Sequence, residues 1–160
     1  MIVRRLVMTD AKVIGFLPAI DRGAGALPEL LTEWAAMMIN FVPGPVGVVA
    51  EWSTWNGAAG GAVVPDGQRS RLFSLVPPSC PEAGTATPAL QEALAIRRNE
   101  FARLLVNLSH YAEPPHLPTA AEFVDGVVLV IPAGRIRRTR LKQMVRDLDY
   151  RKSLGAILVD

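Results

Sequence analysis

The sequence predicts an α/β three-layer sandwich built on a mostly parallel sheet. Three observations carry that reading. Short apolar runs alternate with stretches of helical periodicity along most of the chain. The apolar runs are continuous rather than alternating, the pattern of strands covered by helices on both faces. The composition suits a buried core: half of the 160 residues are hydrophobic and the mean hydropathy is +0.25, so disorder is not expected. Residues 1–160 are read as a single domain, with right-handed crossovers between parallel strands.

The elements follow in order. Lys12 to Leu17 (KVIGFL) reads as a strand, and the stretch from Ala26 (ALPELLTEWAAMMI) as a helix. Val46 to Glu51 is a second strand. The Gly-rich segment 52–67 is a loop with a short strand at Ala62 to Val64, and Arg71 to Val76 is a further strand. After a loop from Pro77 to Thr85, the segment Pro88 to Phe101 reads as a helix, with Thr87 as its cap and Pro88 at its first position. Arg103 to Leu108 is a buried strand. Ser109 to Pro118, with three prolines and both histidines, reads as a loop. Thr119 to Val124 is a short helix capped by Thr119, and Gly126 to Ile131 is the strongest strand. Ile136 to Tyr150 is a helix, and Ala156 to Val159 a last strand.

Strand, glycine-containing loop and helix at the start of the chain form the layout of a phosphate-binding loop, where backbone N–H groups and a helix N-terminus hold an anion. The motif calls for G-x-G-K-[ST]. Here Gly23, Ala24 and Gly25 are followed by Ala26 and Leu27. No ammonium stands ready to neutralise a β- or γ-phosphate, and no hydroxyl to hold Mg²⁺.

The segment from Ala121 to Val159 resembles the C-terminal half of the MinD/ParA-type P-loop ATPases. It is most similar to the bacterial tyrosine kinases of capsule and exopolysaccharide assembly. The matching runs are Val124-Asp125-Gly126-Val127-Val128-Leu129-Val130-Ile131, then Ala133-Gly134, then Leu154 to Val159 with Asp160 at the position of a strand-end Asn. Upstream, Phe101 to Leu108 lies where that family has a strand ending in Asp, and Lys12 to Phe16 resembles its first strand. The resemblance implies a P-loop NTPase-like fold of the SIMIBI class.

Aligned so, the departures share a direction. Ala26 and Leu27 replace the Lys and the Ser/Thr. Asp21 falls on the group's extra signature Lys and would repel phosphate. The acidic position ending the second strand falls on Ala50 or Glu51, and Asn107 stands at the metal-binding Asp. Phosphoryl transfer rests on positioning and charge neutralisation, so the resemblance implies a pseudo-ATPase with no cofactor. Its vestigial loop comprises Asp21, Arg22, Gly23, Ala24, Gly25, Ala26 and Leu27, with Asn107 opposite, and no residue is assigned a catalytic role. The family's Tyr-rich tail is missing; only Tyr111 and Tyr150 occur.

Other residues narrow the classes. Cys80 is the sole cysteine, sits among prolines and suits a reducing compartment. His110 and His116 lack metal-ligand spacing, so no metal site is expected. The Ser109-His110 pair has no third group and is not a catalytic dyad. No run of ~18 apolar residues spans a membrane, and the N-terminus does not read as a signal peptide.

Arg135, Arg137, Arg138, Arg140, Lys142, Arg146, Arg151 and Lys152 make up eight of the chain's 17 Lys and Arg residues. They are expected to cover the outer face of a helix whose buried stripe is Ile136, Leu141, Met144, Val145 and Leu148. Either this face is simply solvated, or it docks an acidic partner, an anionic membrane or nucleic acid. Trp34 is read as core. Trp52 and Trp55 follow the second strand at the C-terminal sheet edge and, with Arg135, Arg137, Arg138 and Arg140, form the candidate interaction surface.

The expectation is a cytoplasmic bacterial protein-interaction module, regulatory or scaffolding, in exopolysaccharide or cellulose production. Its partner would be a protein, such as a membrane-bound synthase or secretion component that recruits it to the inner membrane, or a second subunit forming a homo- or heterodimer. Nucleic acid is not the expected partner. Two alternatives stay open. One is a divergent ATP-binding enzyme or switch in which Gly23, Gly25 and Arg22 rebuild the phosphate site. The other is a ParA-like positioning protein that associates with DNA or membrane.

Overall fold

A computed structural model describes residues 2–20, 25–50, 62–65, 71–76, 91–92, 94–112, 116–148 and 151–160. The labelled elements are α1 (Ile2–Val7), β1 (Val13–Pro18), α2 (Leu27–Met38), β2 (Val46–Val49), β3 (Ala62–Pro65), β4 (Leu72–Val76), β5 (Arg103–Asn107), a 3₁₀ turn (Ser109–Tyr111), α3 (His116–Glu122), β6 (Gly126–Pro132), α4 (Arg138–Asp147) and β7 (Ser153–Val159). Residues 91–92 and 94–97 are also helical. The sheet runs β3-β4-β2-β5-β1-β6-β7. Every neighbouring pair is parallel except β3 with β4.

β1 lies inside the sheet, pairing with β5 (Val13↔Leu104) on one side and β6 (Ile14↔Gly126) on the other. Its six residues are all buried, as continuous apolar runs require when helices cover both faces. Alternate residues enter opposite cores. Val13 and Leu17, with Leu104, Val106, Val127 and Leu129, pack under residue Leu94, α3 and α4. Ile14 and Phe16, with Leu105, Val128 and Val130, pack under α1 and α2. The three layers predicted from the runs are therefore present, with one core on each sheet face.

α2 contributes Leu27, Leu31, Trp34, Ala35 and Met38, a helical stripe along one face. The Trp34 ring sits 5.5 Å from that of Phe16, so Trp34 is a core residue, as its spacing suggests. Past the helix end, the Arg71 guanidinium donates to the Ile39 and Val42 carbonyls at 2.6 and 3.2 Å and satisfies acceptors the helix leaves open. Gly15 is required by packing: a Cβ there would overlap the Leu108 side chain.

Several boundaries differ from expectation. α3 begins at His116, with Pro118 and Thr119 inside it. Pro118 falls in the first turn, where its missing N–H would have no helical partner in any case, so Thr119 is not the cap. Ser109–Tyr111 forms a 3₁₀ turn within the segment read as loop. β7 starts three residues early at Ser153 and α1 was not foreseen. α4 is shorter than expected, and Val145 is 53% exposed rather than part of the buried stripe, which is carried by Met144 and Leu148. Thr87, Pro88 and Cys80 lie outside the described residues.

Asp125 joins distant segments just before β6. Its Oδ2 accepts from the Lys12 and Val13 N–H groups at 2.9 and 2.8 Å, and its Oδ1 accepts from Arg98. Partial burial pushes the carboxyl up, but the Val13 N–H, the Arg98 guanidinium and the Lys12 N–H outweigh it and hold its pKa below the ordinary 3.8. A depressed folded-state pKa means this stabilisation is complete above the unfolded value and is lost as pH falls through the folded one. Asp125→Asn is therefore expected to cost about 2 kcal/mol at neutral pH. Parallel melts should show the gap from the unsubstituted protein closing as pH drops below about 4; a gap independent of pH would contradict this role.

Candidate functional site

In open α/β sheets ligands bind beyond the carboxyl ends of the strands, where chain order reverses. Here that point is β1, flanked by β5 and β6. The loop leaving β1 reaches α2 through Gly25, whose φ of +59° suits glycine. Asp21, Arg22, Gly23 and Ala24 lie outside the described residues, as do Glu51, Trp52 and Trp55.

The two positions that would carry the P-loop chemistry behave differently. Ala26 is exposed and caps α2 without any side-chain hydrogen bond. Leu27 is 2% exposed and belongs to the core beneath α2. Its side chain anchors the helix N-terminus by apolar burial.

Asn107, at the end of β5, is 2% exposed. Its Nδ2 donates to the Ala50 carbonyl at 2.6 Å, and its Oδ1 accepts from the Ser109 N–H at 2.9 Å. The side chain thus ties the end of β2 to the turn after β5. An amide donates and accepts at once, whereas an ionised carboxylate only accepts, so Asn suits this position structurally.

Beside the loop lies a cavity of about 610 Å³, a volume common for small-molecule sites. Pro18, Ile20, Leu27, Leu30, Val130 and Pro132 supply the apolar part of its walls. Arg135 and Asp160 also line it. Neither side chain has a described hydrogen-bond or ion-pair partner among the described residues.

No protein-family model matches the sequence, and no curated protein matches it. The structure does match the crystal structure of the VpsO kinase domain, with a TM-score of 0.69 at 16% identity, over 98% of this chain and 89% of that one. The likeness shows a shared fold, an α/β sandwich with helices on both faces of the sheet.

Within this fold the sequence-predicted residues divide. Gly25, Ala26 and Leu27 meet at the cavity, while Asn107 is committed to its Ala50 and Ser109 contacts. Arg135, Arg137 and Arg138 are exposed. Arg140 is half-buried and donates to the Ala112 carbonyl at 3.1 Å. Sequence reasoning did not bring Arg135 and Asp160 to one cavity with Ile20 and Leu30. The available signal was position: these residues follow β1, β6 and β7 at their carboxyl ends or open α2, the edge where sites form. Among the described residues no cluster of His, Cys, Asp and Glu could hold a metal ion, and no helix is long and apolar enough to cross a membrane.

Proposed function

We propose that this domain is a catalytically silent P-loop-type module that works through protein contact in bacterial exopolysaccharide or cellulose production. The observation carrying the proposal is the burial of Leu27 at the position of the Mg²⁺-binding hydroxyl. The exposed Ala26 in place of the Lys and the bridging role of Asn107 support it. A site without the Lys, the hydroxyl and the carboxylate lacks the groups on which P-loop phosphoryl transfer relies. The pathway follows from the resemblance to exopolysaccharide tyrosine kinases, with the VpsO kinase-domain likeness in support. The partner on this reading is a membrane-bound synthase or secretion component, or another P-loop subunit.

The cavity favours a second reading, a divergent nucleotide-binding switch, because it is ligand-sized and borders Gly25. Calorimetric titration with ATP-Mg²⁺ and ADP-Mg²⁺ separates the two. The silent module gives no heat and no thermal stabilisation at millimolar nucleotide. Micromolar binding moves the switch to first place.

A further inference from the structure

We infer that the outer edge of β7, together with the cations of α4, is a docking surface for an extended, acidic protein segment that adds to the sheet as an eighth strand. This deepens the protein-contact reading and rests on it, supplying the class of partner.

Among the described residues β7 is an edge strand that pairs only with β6, and none of them pairs with its other backbone edge. Natural edges are blunted by charge or proline, or covered. This strand, SLGAILV, carries neither within it. A bulge at Val127/Val128 interrupts the register beside Leu154, so the regular edge is the stretch from Gly155 to Val159. Ala156 and Leu158 pair with Leu129 and Ile131 and so share the sheet face that α4 covers. They are nevertheless exposed, Leu158 by 70%.

Charge selects the occupant. Arg135, Arg137, Arg138, Lys142 and Arg146 are exposed, and none has an ion-pair partner among the described residues. Arg135 lines the same cavity as Leu158 and Asp160, which places the start of this basic run beside the end of β7. A second copy paired along β7 would bring two such basic runs onto one side of a joined sheet, where like charges repel. A strand alternating acidic and apolar residues meets both requirements: backbone bonds to the edge supply affinity, and alternate side chains meet Leu158 and the cations.

The test uses the full chain and a synthetic peptide of about nine residues alternating Glu and Val, long enough to run along the strand at ~3.3 Å per residue. Binding is read by fluorescence anisotropy and by hydrogen exchange. The expected result is saturable binding, with slowed exchange centred on Ser153–Val159. Leu158→Asp and the pair Arg137→Glu with Arg138→Glu, all at exposed positions, should each weaken binding by about tenfold or more. The Lys–Val peptide, and a Glu–Val peptide with alternate amides N-methylated, should not bind. No binding of the Glu–Val peptide, equal binding of the N-methylated form, or protection elsewhere overturns the proposal. The two readings fail separately: peptide failure with ATP still silent removes this surface alone, whereas micromolar ATP binding removes the silent-module reading whatever the peptide does.

Discussion

Asn107→Asp is expected to destabilise the domain by about 3 kcal/mol, although on the proposed reading it supplies a metal-binding carboxylate. The Nδ2 donor facing Ala50 at 2.6 Å would become a second oxygen, setting acceptor against acceptor at a position 2% exposed. Leaving a buried polar group unsatisfied costs on the order of 1–3 kcal/mol, and more where the group is charged. For a chain of this length the melting temperature should fall by roughly 6–12 °C. Burial would also raise the pKa of the new carboxyl, so the deficit should shrink in acid. A melting temperature unchanged in buffer and raised by ATP-Mg²⁺ would show that the position still serves metal binding.

Leu27→Ser is expected to cost about as much, 3–4 kcal/mol, while Ala26→Lys should stay within about 0.5 kcal/mol. Leu27 is enclosed in the core beneath α2, and truncating a buried Leu costs roughly 2–5 kcal/mol before any charge for the unsatisfied hydroxyl. Ala26 is exposed and caps the helix without a side-chain bond, so a long cation there displaces nothing. Denaturant unfolding of the two single variants checks this asymmetry. Equal effects would mean that Leu27 is not part of the core. The asymmetry bears on the proposed function: a Lys fits at position 26 freely, whereas a hydroxyl fits at position 27 only by undoing the packing that holds α2 to the sheet.

The central strands were legible because burial on both faces leaves a compositional mark. The runs starting at Lys12, Val46, Arg103 and Gly126 all coincide with strands, to within one or two residues at each end. Legibility failed where a local signal spoke against the tertiary outcome. Gly155, with φ +126°, reads as a turn residue, yet it lies within β7 next to a bulge. The prolines around His116 read as a loop, yet one of them occupies the first turn of α3. At the site, the positions of Ala26, Leu27 and Asn107 could be found by counting from strands. The task of Asn107 could not, because its partner Ala50 is remote in sequence and adjacent only through the β2–β5 pairing.

The place of β1 in the sheet has a consequence for how the chain acquires its shape. β1 is synthesised well before its neighbours in the sheet, at Leu104 and Gly126. Until both have been synthesised, a strand that is apolar on each face has no edge to join. Long-range parallel pairing of this kind is slow and exposes hydrophobic surface meanwhile. The domain should therefore fold only after most of it has left the ribosome, and chains that stop short of β6 should aggregate or be degraded rather than settle into a partial sheet.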